Sequence, residues 1–142
     1  MIVGWRIFWW LGVALLVVSP ARSQPLAYSE PEIKAALMRV IEDQLVAFRN
    51  DDWEAAYQLA SESFRRRMPF ERFSRIIQQS YPIIWKNTRV DFGLPTDNSR
   101  LARVPLRVHA ELVSASFDYL LAFERGRWLI TGVLPSGESA PF

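Results

Sequence analysis

Residues 40–85 read VIEDQLVAFRNDDWEAAYQLASESFRRRMPFERFSRIIQQSYPIIW, and the spacing of apolar side chains in this stretch decides the fold of the whole chain. Ile33, Leu37, Val40, Ile41, Gln44 and Phe48 recur at three- and four-residue steps, which predicts one face of a helix reaching back to Ser29. Ser29 with Glu32 has the spacing of a capping box, and Pro31 falls in the first turn, where its missing N–H costs nothing. Gln44 is the exception in the stripe. An amide in line with apolar side chains must find partners or lose about 1–3 kcal/mol in desolvation. It either ties the helix to a neighbouring backbone, the commoner solution, or points into a cavity.

Asn50, Asp51 and Asp52 break this helix and suit the cap of the next, because short polar side chains bond their own backbone there. The pair Asp51-Asp52 lacks the further oxygen ligands and the glycine of a calcium loop, so it reads as capping and not as a metal site. Trp53, Ala56, Tyr57 and Ala60 then predict a short second helix with two large aromatics on its inner side. Arg65-Arg66-Arg67, the dense charge run, reads as solvated charge that complements a helix C-terminus. Met68-Pro69 opens a third helix with Phe70, Phe73, Ile76 and Ile77 facing inward, and Tyr81-Pro82 stops it.

After Trp85 the period changes to alternation, which predicts an antiparallel sheet. Thr88 to Phe92 is the first strand, and Pro95-Thr96-Asp97-Asn98-Ser99 is the turn after it. In the second strand Ala102, Val104, Leu106, Val108 and Ala110 share one face, with Arg103, Arg107 and His109 on the other. Pro105 lacks a ladder donor and so predicts an edge position or a bulge. The third strand runs from Ser116 to Phe123, and Glu124-Arg125-Gly126-Arg127 turns it into the last, Trp128 to Val133. Both faces of this hairpin carry large apolar residues, which implies a second buried surface, most simply a homodimer interface through the sheet.

The N-terminus reads as a secretory signal peptide over residues 1–23: Arg6 precedes an apolar run from Ile7 to Val18, with small residues at cleavage spacing up to Ser23. The expected destination is the periplasm or the exterior; an uncleaved helix anchored in the inner membrane is the alternative. Residues 24–28 read as a short tether and 29–142 as a single α+β domain. The chain has 17 basic and 15 acidic residues, and Arg6 and Arg22 belong to the leader. The mature domain is then near neutral, which argues against nucleic acid as a partner. Zero cysteines exclude disulfides, thiolate–zinc sites and thiol catalysis, and one histidine excludes a multi-histidine metal site, so no metal or cofactor is expected.

Helices followed by a meandering sheet, and a terminal Gly126-Arg127-Trp128-Leu129-Ile130-Thr131-Gly132-Val133 strand, resemble the cystatin-like cone of the nuclear transport factor 2 superfamily. More narrowly, Ile41 with Gln44, Ala47-Phe48-Arg49, Asp51-Asp52-Trp53, Ala56-Tyr57, Ala60-Ser61, Phe64, Phe73, and Tyr81-Pro82 with Trp85 resemble an exported bacterial family, domain of unknown function 4864. The resemblance spans nearly the whole mature chain and loosens between Val90 and Ser116. It implies N-terminal helices packed on a curved antiparallel sheet of about four strands, with a pocket between them. It implies no established activity.

The superfamily includes isomerases and dehydratases, so the residues were weighed for proton abstraction, which needs a carboxylate or imidazole in the pocket and a donor for the oxyanion. Asp118 and His109 are the weak candidates for the base, with Tyr57 or Tyr119 as donor. His109 shares its face with arginines and is expected to look outward. Ser116 with His109 as its base has no spacing to support it. The favoured expectation is a non-catalytic exported domain that binds a small apolar ligand or an envelope protein, with Gln44, Tyr57, Phe73, Tyr81, Trp85 and Trp128 lining the site. A ligand-free structural homodimer is the third reading.

Overall fold

The helical spacing before Trp85 is realised in five helices: α1 (Pro31–Arg49), α2 (Trp53–Gln58), α3 (Glu62–Arg67), α4 (Phe70–Ser80) and α5 (Pro82–Trp85). The computed structural model describes residues 24–137, and the proposed leader lies outside them. Two of these helices are additions to the three expected. The arginine run is the last turn of α3, and Pro82 opens the four-residue α5 at its first turn where a helix stop was expected. At the start of α1 the capping position is Glu30, without a side-chain cap, and not Ser29. Ser29 is instead drawn to the sheet, where its N–H donates to the Pro95 carbonyl at 3.0 Å. Asp52 does cap α2 by accepting from the Ala55 N–H at 3.2 Å.

The sheet is antiparallel and curved, with β1 (Ala27–Tyr28), β2 (Arg89–Phe92), β3 (Thr96–Asp97), β4 (Leu101–His109), β5 (Ser114–Glu124) and β6 (Arg127–Pro135). Six strands replace the expected four. The additions β1 and β3 are two residues each and pair with one another, and β3 also pairs with β4. One lies in the stretch read as a tether and the other in the stretch read as a turn. The path is β1-β3-β4-β5-β6, with β2 beside β4 on the same side as β3. Arg125 and Gly126 close the β5–β6 hairpin with φ of 50° and 82°, the two positive angles that match a tight turn to the strand twist. A register shift at Leu120/Leu121 adds local bend.

Pro105 is not on an edge but at a bulge, the other expected alternative: the register of β4 against β2 and β3 shifts by one residue there, from Phe92↔Leu106 to Thr96↔Arg103. Strand β4 is interior, paired along its length with β5 and on its other side with β2 and β3. The proline falls opposite the break between β2 and β3, so its missing donor faces no strand partner. Its carbonyl accepts from the Gly93 N–H in that break at 2.7 Å. A Cβ on Gly93 would stand 2.8 Å from the proline ring and 3.1 Å from its carbonyl oxygen, so glycine is what allows this approach.

One face of the sheet, carrying Ala102, Val104, Leu106 and Val108 with Phe117, Tyr119 and Leu121, packs against Leu37, Ile41, Leu45 and Phe48 of α1. The exposed edge of β6 is covered where the chain passes from α2 to α3. Ser61 N–H donates to the Ile130 carbonyl at 2.7 Å and Ile130 N–H to the Leu59 carbonyl at 2.9 Å. Among the described residues no helix is long and apolar enough to cross a membrane.

Gly93→Ala should destabilise the domain by about 1–3 kcal/mol, since a backbone carbonyl and a rigid ring must move to admit the methyl group. Urea unfolding measures this, and an unchanged midpoint would refute the close approach.

Candidate functional site

The helical layer does not fill the sheet completely. Between α1, α4 and the β5–β6 hairpin lies a cavity of about 170 Å³. Its floor is Tyr119, Ile130 and Val133, and Phe48, Phe73 and Ile77 stand over it. Phe64, Met68, Ile76, Tyr81, Gly132 and Val133 of its lining are half-buried. The lining is apolar apart from Gln44, Tyr81 and Tyr119.

Gln44 is 3% exposed. Its Nε2 donates to the Ala56 carbonyl at 3.0 Å and ties α1 to α2, the backbone tie expected for an amide in that stripe. The same side chain borders the cavity, so the two roles weighed for it coexist. The bond to Ala56 uses one of the two Nε2 hydrogens, so the amide retains a donor as well as its acceptor Oε1. Tyr119 is fully buried, and its hydroxyl has no hydrogen-bond partner among the described residues. Burial pushes the Tyr119 phenol up from its ordinary pKa, so it stands as a protonated donor at the cavity floor.

Of the six side chains expected in a pocket, Gln44, Phe73 and Tyr81 come together here. The other three are used elsewhere. The Tyr57 hydroxyl donates to the Met68 carbonyl at 2.7 Å, with the Arg65 carbonyl at 3.2 Å, and so ties α2 to the end of α3; its ring packs on Phe73 at 5.2 Å. Trp85 stacks on Trp53 at 5.5 Å, and its Nε1 donates to Asp51 Oδ1 at 2.7 Å, which gives Asp51 a part that the capping reading missed. Trp128 packs on Phe123 at 5.2 Å beside α1, at a separate surface groove. Tyr119 was weighed only as an oxyanion donor, although its place between Phe117 and Leu121 on the apolar face was the signal that its phenol is inside.

The acid–base candidates lie on the opposite, outer face of the sheet. Asp118 accepts from Arg103 Nη2 at 2.8 Å and pairs across the strands with Pro105 and Leu134, while its neighbour Tyr119 points to the helices. His109 is held between β2 and β5: its Nε2 is 2.7 Å from Asp91 Oδ2 and its Nδ1 is 2.7 Å from Ser114 Oγ. The serine brought to His109 is therefore Ser114 and not Ser116, which pairs with Arg107. That register follows from the four residues, 110–113, that join β4 to β5. In the neutral ring a proton on Nε2 serves the carboxylate, leaving Nδ1 to accept from Ser114. Arg89 Nη2 stands 3.3 Å from Nε2 and 3.4 Å from Asp91 Oδ2, and Ser114, Arg89 and Asp91 are all exposed, so this cluster is solvated. Among the described residues there is no group of three or more His, Cys, Asp or Glu side chains able to hold a metal ion.

Tyr119→Phe should leave stability unchanged or raise it by about 1 kcal/mol, because it removes a buried hydroxyl that makes no hydrogen bond. Tyr57→Phe, which loses a bond, should cost about 1 kcal/mol under the same urea assay. The raised phenol pKa has a further consequence with a definite sign. Its stabilising contribution is complete below the unfolded value of about 10 and declines as pH rises beyond it, because only the unfolded chain releases the proton. The Phe variant should therefore lose less stability above that pH than the parent.

Comparison with curated proteins and with solved structures found no match. The family described as Domain of unknown function (DUF4864) matches over residues 30–140, a span that takes in every helix and all the strands but the first, and the chain belongs to that family.

Proposed function

We propose that this is an exported, non-catalytic binding domain of nuclear transport factor 2-like design, whose ligand is a small, largely apolar molecule held between α1, α4 and the sheet. The observation that carries this reading is the cavity of about 170 Å³ with an unpartnered tyrosine hydroxyl at its floor. Small-molecule sites are concave and mostly apolar with a few placed polar groups, and this lining has that composition. A non-catalytic role is favoured because Asp118 and His109 sit on the far face, engaged with Arg103 and with Asp91 and Ser114. An isomerase working in this cavity would need a base that its lining residues do not supply.

A second reading, a homodimer or an envelope-protein complex formed through the sheet, is favoured by the outer face. Leu101 and Leu134 are 52% and 53% exposed there, and the half-buried Leu120 and Ala122 lie between them. Such a row of apolar side chains on one sheet face is ordinarily covered.

Native mass spectrometry of the protein recovered from its export compartment tests all of this. The expected particle begins at Gln24 and carries a small-molecule adduct that Val133→Phe, which fills the cavity, removes without loss of circular dichroism. An adduct unaffected by that variant places the ligand elsewhere. Two chains are expected under the second reading, reduced to one by Leu134→Glu; a single chain in the parent protein rejects the homodimer.

A further inference from the structure

The cavity's two polar atoms narrow the ligand chemistry, on the reading that the cavity is a binding site. One Gln44 Nε2–H donates to the Ala56 carbonyl, so the amide has its acceptor Oε1 and its second N–H for a ligand. The Tyr119 hydroxyl is fully buried, lies against the same cavity, and makes no hydrogen bond among the described residues. A buried hydroxyl in that state carries a desolvation penalty that a ligand group would relieve. An amide and a hydroxyl, each able to donate or accept, therefore belong to the lining. A single hydroxyl group on the ligand satisfies both.

Size and charge add two limits. An apolar protein cavity of about 150 Å³ holds one benzene molecule. The present cavity, at about 170 Å³, takes one ring, or a hydrocarbon of like bulk, with one small substituent. None of the lining side chains is a lysine, arginine, histidine, aspartate or glutamate. An ionised ligand would lose its hydration here without a countercharge, so the ligand is neutral. Protonation of the Tyr119 phenol by its burial agrees with a neutral site.

We propose that the cavity selects a neutral, single-ring or equally compact hydrocarbon bearing one hydroxyl, which hydrogen-bonds to the Gln44 amide and the Tyr119 hydroxyl.

The test is an amide NMR titration of the folded domain at pH 7 with three probes of similar size: toluene, p-cresol and benzoate. The expected order is p-cresol tighter than toluene by about tenfold, the worth of one or two net hydrogen bonds, with benzoate not bound. The shifts should centre on Gln44, Phe73, Ile77 and Tyr119. Tyr119→Phe should lower the p-cresol to toluene affinity ratio several-fold, and unfolding in urea checks that this variant remains folded. Equal affinity of toluene and p-cresol in the parent, or an unchanged ratio in the variant, would overturn the hydroxyl assignment while leaving an apolar binding cavity. Benzoate binding at the same residues would overturn the neutral class. Failure of all three probes to shift these residues would overturn the binding reading itself, together with this proposal.

Discussion

Asn87 is the polar tie on which the arrangement of helices over sheet depends. It lies between α5 and β2 and is 1% exposed. Its Nδ2 donates to the carbonyls of Leu45 in α1, at 2.8 Å, and Ile84 in α5, at 2.7 Å. Its Oδ1 accepts from Arg49 Nη2 at 2.8 Å, and its backbone carbonyl accepts from Arg49 Nε at 3.1 Å. One side chain thus joins the last turns of α1, the end of a four-residue helix that cannot satisfy its own carbonyls, and the entry into the sheet. Buried amides held by several partners fix orientation more sharply than apolar contact does, because a small shift breaks several bonds at once.

With α1 pinned at that end, the aromatic side chains settle the rest of the layer. Trp85, Trp53, Phe48 and Phe73 follow one another with centroid separations of 5.5, 5.6 and 5.8 Å, and Tyr57 and Phe64 close on Phe73. This chain of rings spans α5, α2, α1 and α4. The cavity lies at its Phe73 end, where α4 meets the β5–β6 hairpin, and the Gln44 tie to Ala56 fixes the opposite wall. The space is bounded by elements held from several directions.

The legibility of these features in the sequence follows from their physical range. The stripe from Ile33 to Phe48 and the alternation from Ala102 to Val108 are repeated signals, and both appear as read. Helices α3 and α5, at six and four residues, are too short to show a period, and so are β1 and β3, two-residue strands defined by their pairing with each other and of β3 with β4. Pro105 marked a bulge, as the local rule about missing donors predicts: the missing donor is harmless where the neighbouring strand is interrupted. For the site, Gln44 stood out because an amide in an apolar stripe conflicts with its surroundings. Tyr57 and Trp85 gave the same aromatic signal as Phe73 and Tyr81, yet their polar atoms close onto backbone and Asp51. Composition cannot tell an aromatic that lines a space from one that seals it. The assembly of Asp91, His109 and Ser114 across three strands depended on register, which a hairpin loop length fixes and hydrophobicity does not.

Stability and binding are coupled at the cavity. The Tyr119 hydroxyl is buried without a hydrogen-bond partner among the described residues, at a cost of about 1–3 kcal/mol. That is a sizeable fraction of the roughly 5–15 kcal/mol that holds a domain together. A ligand that binds only the folded chain adds about 2.7 kcal/mol of stability when its concentration is a hundredfold above Kd, which is enough to offset that penalty. A zero-cysteine domain has no disulfide to make up the difference. Under the proposed reading, the group that orients the ligand also carries a desolvation penalty, so occupancy strengthens the fold at that point.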